Sequence, residues 1–457
     1  MDIQASSSSL LAGAVTADRL RARVARCAET ISATRDDVVT WVTARRGERL
    51  FRRFASHLDV LESVLLGVLD RIAAAQREQE SDAGAEYARC RRIDRCTAVV
   101  RAVWIWYAVK YDQRLSGQPH ADLLASADAI TLSCWQEPFR RAFRTPPTGP
   151  LCFVDDRSDG HVLRRCSVPG ELKLTGDQLV DELITELPVP IIALPEGAGR
   201  GAWWLAVTAH ETGHHVEHDL GLNGAVRDAL SQAVPQALRS SWRAWSGEVF
   251  ADAYAVVMLG PAAVWPIEEL QFGPAGFMLQ ATKTYPAPLV RLALLVELLR
   301  QLGAKEPLFG AEEALSQLED LAAGRRERTM AHLGALPEVA NGLLELSVGG
   351  GALGTFADPS VIQGTGLVMG WAEQLGREDR VISPKDGRSA PRLLLAAAAR
   401  RHRTVVTPDD LAGLHGNLLA ELAGSGAPGV LADDARVLPA GLADRLADRL
   451  LAAGGVA

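Results

Sequence analysis

His210, Glu211 and His214 stand in the order H-E-x-x-H within Thr208–Leu220 (TAHETGHHVEHDL), which holds four of the chain's ten histidines. On an α-helix, residues i and i+4 project from one face a turn apart, so both imidazoles can reach a single ion. Neutral imidazole is a good zinc ligand, with Zn–N of about 2.0–2.1 Å, and the pair supplies half of a tetrahedral site. Glu211, beside the first ligand, can reach a metal-activated water without occupying the ion, which is where a general base belongs. His215 adjoins His214 and His218 lies one turn further on. Three successive turns of one helix cannot converge on one tetrahedral ion, so these two are expected on the surface or in support. The competing reading is a polar helix face that arose by chance. The apolar run Trp203–Val207 before the motif and the small Gly213 inside it argue against that, since a solvated helix needs neither.

A catalytic zinc takes a third protein ligand and leaves one position to water. A histidine six residues beyond His214 would suit the metzincin pattern, but that position is Leu220, and Glu217 stands where the pattern needs glycine. Cys166 precedes the motif at a distance similar to the cysteine ligand of peptide deformylases, yet its context RRCSV does not resemble theirs. Glu248 and Asp252, in WSGEVFADAYA (Trp245–Ala255), are i and i+4 on an expected helix. Adjacent carboxylates on an apolar, aromatic helix need partners. Zinc for Glu248 and an imidazole N–H for Asp252 would provide them, and the second bond would fix the histidine tautomer. The alternative leaves both acids facing solvent.

H-E-x-x-H followed by E-x-x-x-D resembles the gluzincin metallopeptidases. The resemblance implies one Zn2+ held by His210, His214 and Glu248, with Glu211 as general base and Asp252 hydrogen-bonded to His210. TYPAPLVR, Thr284–Arg291, resembles the T-H-P-P-x-x-x-R segment of the CAAX prenyl endopeptidase and HtpX-like branch. Arg291 keeps the arginine's place, whereas Tyr285 replaces a histidine that in the family helps to hold the transition state. A tyrosine hydroxyl can donate to a developing oxyanion, so Tyr285 and Arg291 are both expected in the catalytic machinery. In zincins an edge strand before the metal helix binds extended substrate, and VPIIALP (Val189–Pro195) stands in that place, with Pro190 and Pro195 near its ends. The resemblance covers about residues 189–295.

The elements that must position these residues follow from periodicity. Apolar residues recur at helical spacing in LFRRFASHLDVLESVLLGVLDRIAAA and in DRCTAVVRAVWIWYAVKYDQRL, which predicts a helical block up to the break TPPTGP at Thr145–Pro150. LCFV (Leu151–Val154) and VPIIALP read as strands of a small mixed sheet, with LTGDQLVDELITEL as a helix between them. A helix from about Trp203 carries the histidines, and GAVRDALSQAVPQALRS, SGEVFADAYAVVML and PLVRLALLVELLRQLG predict more. From about Glu306 the chain is Ala/Leu-rich and helical, interrupted at Gly349–Gly351. The expected fold is therefore α+β and predominantly helical. A zincin-like core with a small sheet, residues 146–305, lies between helical domains at 1–145 and 306–457.

Composition bounds the rest. With 48% hydrophobic and 23% charged residues in 457, the chain reads as a folded globular protein. Lys+Arg 48 against Asp+Glu 56 gives a net charge of −8 and no basic stripe, so nucleic acid is not an expected partner. There is no expected transmembrane segment and no signal-peptide pattern, and the six cysteines are irregularly spaced; buried free thiols and a cytoplasmic setting are expected. The expected activity is zinc-dependent hydrolysis of peptide bonds in a protein or peptide substrate. The competing function is a catalytically idle zincin core that binds a protein partner through its helical flanks. Glu211 favours the enzyme, and Tyr285 keeps the second reading open.

Overall fold

The computed structural model describes residues 17–78, 80, 82–141, 148–155, 161–163, 187, 189–304, 326–383, 387, 389–405, 407–425 and 441–453. Cys166 and the helix expected in LTGDQLVDELITEL lie outside them. The described residues are mostly helical with few strands, as the sequence predicts for a predominantly helical α+β chain. They divide into two compact units, one of 1–112, 165–189 and 430–457 and the other of 113–164 and 190–429. This division differs from three consecutive blocks. Ala121–Arg141, which patterning assigns to the N-terminal helices, and most helices after residue 306 belong to the second unit.

In the first unit, Ala17–Gly47 (α1), Ala55–Arg77 (α2) and Ala83–Asp112 (α3) pack on one another, and Leu442–Ala453 lies along α2. Gly67 permits that last contact, because a Cβ there would meet the Ala443 Cβ at 2.5 Å. Cys27, Leu58, Leu65, Ile72, Val100 and Tyr111 are buried in this unit.

Most buried apolar residues of the second unit join one large core, with Met278 and Leu289 in a small cluster beside it. Its sheet contains Leu151–Asp155 (β1), His161–Leu163 (β2) and Ile191–Pro195 (β3) in the order β1-β3-β2. β3 pairs parallel with β1, Cys152 opposite Ile192, and antiparallel with β2, Val162 opposite Ile192. The expectation of VPIIALP as an edge strand is thus corrected: both its edges are paired. The run IIAL is buried on both faces, the composition of a central strand. Pro190 and Pro195 flank or end the paired run and do not interrupt it.

Ala121–Arg141 (α4) packs on β1, and Trp204–Asp219 (α5) follows the sheet. Trp204, Leu205, Ala206 and Val207 are buried, so the apolar run does seat the helix start. Gly221, at φ +67°, ends it: the Leu222 amide donates to the Glu217 carbonyl and the Gly221 amide to that of His218, the paired bonds of a Schellman stop. Asn223–Ala233 (α6) is shorter than its pattern suggests. Pro235 forces Val234 into extended backbone, and helix resumes only at Arg239–Ala244. Ser246–Leu259 (α7) is buried nearly all round, the expected state of a helix apolar on every face. Trp265–Gln271 (α8) and Pro288–Gln301 (α9) complete the surroundings of the histidines. Gly349 and Gly350, at φ +58° and +93°, form the turn of a hairpin between Ser347–Val348 and Gly351–Ala352, which explains the glycine run. No single described helix is long and apolar enough to cross a membrane.

Candidate metal centre

The site is made where α5 crosses α7. A Cβ on Gly213 would lie 2.9 Å from the Ala251 Cα and 3.1 Å from the Tyr254 Cβ, so only glycine lets the two backbones come this close. Glu248, one turn before Ala251, is thereby brought under the histidines. α7 is held from behind by the Tyr254 hydroxyl, which donates to the Cys134 carbonyl at 2.7 Å, on Ala121–Arg141. His215 ties α5 to the sheet, with Nε2 3.2 Å from the Ile191 carbonyl. It is buried and structural, whereas His218 is exposed beside Asp219. Neither joins the cluster.

His210 Nε2 lies 3.3 Å and His214 Nε2 3.5 Å from Glu248 Oε2. One ligand atom from each residue falls within 4.8 Å of the others, so this group could hold a metal ion. The rings are near-perpendicular, with centroids 4.9 Å apart. The two contacts have the length of ion pairs, and Oε2 is buried without a hydrogen-bond donor. With both imidazoles neutral, the two nitrogens and Oε2 turn lone pairs towards one another, an arrangement a cation resolves. Two nitrogens and one carboxylate oxygen are a donor set for a transition-metal ion.

The other nitrogen of His210 is fixed. Nδ1 stands 2.9 Å from Asp252 Oδ1, and Asp252 in turn accepts from Arg291 Nε at 2.5 Å and from the second guanidinium nitrogen at 2.7 Å. Asp252 and Arg291 are both buried. Burial resists the charge on Asp252, but Arg291 and His210 outweigh it and lower its pKa. Burial likewise opposes the imidazolium form of His210, yet Asp252, Glu248 and Glu211 push its pKa up to about 10. Glu248 is drawn below the usual carboxylate range by both histidines, against the effect of burial. The field at the three donors therefore favours positive charge.

Arg291 meets the site through Asp252: its guanidinium is committed to that carboxylate and lies 5.4 Å from the centroid of the Tyr285 ring. Tyr285 is 38% exposed and faces Glu248 and Glu211, and burial together with those charges raises its pKa, so the phenol keeps its proton. Glu211, His210, Asp252, Tyr285 and Arg291 line one cavity of about 350 Å3. His214 and Glu248 meet His210 beside this cavity, and Arg291 belongs to the group as a partner of Asp252.

Sequence reasoning did not foresee the rest of the cavity. Much of its remaining lining is apolar, including Trp204 and Val207 on α5 and Ile267, Leu270 and Phe277 beyond it. Leu270, Phe272 and Phe277 are roughly half exposed at 48%, 54% and 49%. No local pattern marks α8 as a wall, because the turn at Gly260–Val264 brings it back over α5. His332 is buried against Trp242 and Trp245, His402 stacks on Trp265, and His415 bonds the Gly199 carbonyl, which are the structural roles expected of isolated histidines.

No family model matches this chain, no curated protein matches its sequence, and no solved structure matches its fold.

Proposed function

We propose that the protein is a zinc-dependent peptidase, a reading supported by the H-E-x-x-H and E-x-x-x-D resemblance to gluzincins and by the close approach of α5 and α7 at Gly213. The observation that carries it is the convergence of His210 Nε2, His214 Nε2 and Glu248 Oε2, with His210 and Glu211 lining the adjoining cavity. His210, His214 and Glu248 would hold the ion, which supplies Lewis acidity towards water and the scissile carbonyl.

The chain's own residues supply the rest. Glu211 takes the proton of the attacking water and passes it to the leaving amine. The Tyr285 hydroxyl, kept protonated, donates to the oxygen on which negative charge develops. Asp252 holds His210 with Nδ1 turned away from the donors, so that Nε2 is the free ligand atom. The cavity wall supports a substrate preference. Arg291 and Asp252 neutralise each other, which leaves apolar surface beside the reacting groups and suits a bulky apolar side chain next to the cleaved bond.

Purified wild type is expected to bind one zinc per chain and to cleave members of a random peptide library, with leucine, phenylalanine or methionine enriched beside the cut. Glu211→Gln should retain the zinc while losing about 10²–10⁴-fold in turnover. Full activity in that variant would refute the mechanism.

A further inference from the structure

Tyr285 stands in a turn closed mainly on itself. The Thr282 amide donates to the Tyr285 carbonyl at 3.0 Å, and Thr282 Oγ1 accepts from the amides of Tyr285 at 2.9 Å and Thr284 at 3.3 Å. Ala281 to Tyr285 are all exposed, so burial does little to place the turn. From the interior, the Trp245 indole Nε1 donates to the Thr282 carbonyl at 3.2 Å. Trp245 is 4% exposed and is set against Trp242 and His332, with ring centroids 5.7 and 5.0 Å away. It immediately precedes α7, its amide donates to the Ser241 carbonyl, and its own carbonyl accepts from Val249. One immobile residue thus starts the helix that carries Glu248 and holds the turn that carries Tyr285.

We propose that Trp245 is a positioning residue: its indole N–H, acting through the Thr282 turn, sets the Tyr285 side chain in the cavity that His210 and Glu211 line. The catalytic consequence rests on the peptidase reading, whereas the placement of Tyr285 does not.

The test labels the protein with 3-fluorotyrosine, which gives five 19F resonances for the chain's five tyrosines. The Tyr285 signal is assigned by its loss in Tyr285→Phe. Trp245→Phe keeps a ring in place and deletes the N–H; Thr282→Val removes the hydroxyl at constant size, and Thr282→Ser keeps it. Trp245→Phe and Thr282→Val are expected to shift and broaden the Tyr285 resonance, and Thr282→Ser to leave it at the wild-type position. Zinc content should stay at one per chain in all of them. On a cleaved peptide, Trp245→Phe should lower kcat by roughly tenfold with KM within about twofold, as small misplacements of reacting groups do. The double variant Trp245→Phe/Tyr285→Phe should be no slower than Tyr285→Phe alone, because both act through one hydroxyl. An unmoved Tyr285 resonance in Trp245→Phe and Thr282→Val, or losses that multiply in the double variant, would overturn the proposal. Zinc loss from Trp245→Phe would overturn it too, by making Trp245 a support of the ligand helix. Should Trp245→Phe not fold, benzothienylalanine at position 245, which keeps the bicyclic ring and lacks only the N–H, decides by the same Tyr285 resonance. If wild type binds zinc but cleaves nothing, the peptidase reading fails while the 19F comparison still decides the placement of Tyr285.

Discussion

Asp252 serves two partners, the His210 imidazole and the buried Arg291 guanidinium, and that double duty can be separated by mutation. Its Oδ1 holds His210 Nδ1 and both its oxygens hold Arg291. Removing the carboxylate frees the imidazole to rotate and strands a buried guanidinium. The first effect should cost about 10–100-fold in zinc affinity, the usual loss when a residue behind a metal ligand is removed. The second should cost about 3–5 kcal/mol of stability, the penalty of an uncompensated buried charge. Asp252→Ala is therefore expected to lose both. Asp252→Ala/Arg291→Met should regain much of the stability and none of the zinc affinity. Competition against a zinc-sensitive dye and urea denaturation measure the two, and recovery of zinc binding in the double variant would show that Asp252 acts through packing alone.

At the scale of elements, the site depends on how closely α5 and α7 approach. An added methyl at Gly213 would press on the Ala251 backbone at 2.9 Å, which no side-chain rotation relieves. Gly213→Ala is expected to destabilise by about 1–3 kcal/mol, as overpacking does. It should also weaken zinc binding, since Glu248 would move away from the two histidines. Gly224→Ala on α6, where a Cβ meets nothing within 4 Å, should leave zinc binding alone and stabilise by up to about 1 kcal/mol. Equal zinc affinities in the two alanine variants would contradict this account. Such elements mark the limit of what sequence reveals. The spacings of His210 to His214 and of Glu248 to Asp252 are legible because a helix turns every 3.6 residues, whatever surrounds it. Gly213 was readable as a close approach for a similar local reason. The central place of β3 was not: it depends on β2, three paired residues whose register is set by β3 itself. The pairing of Arg291 with Asp252 and the wall from α8 are tertiary facts with no local period. Pro235 carried its signal openly, and the helix ended there as proline geometry requires.

At the scale of the whole molecule, the metal should act on one unit. His210, His214 and Glu248 all belong to the second, and none of the three ligands comes from α1, α2 or α3. A ligand that binds only the folded form stabilises it by RT ln(1 + [L]/Kd), about 4.1 kcal/mol when free zinc exceeds Kd a thousandfold. Metal binding also couples to folding through donors that do not converge in the unfolded chain. Stripping zinc with a chelator is therefore expected to raise amide hydrogen exchange in Trp204–Asp219 and Ser246–Leu259, and readdition should restore protection. Ala17–Gly47 and Ala55–Arg77 should exchange at the same rate with and without zinc. The segment Thr282–Tyr285 is the informative intermediate. It contributes no ligand, yet Tyr285 faces Glu248 and the Trp245 indole holds the Thr282 carbonyl. Zinc that steadies the start of α7 should slow exchange in this turn as well. Exchange that rises uniformly along the chain on chelation would mean that the ion supports the whole fold, against the local site argued from α5 and α7.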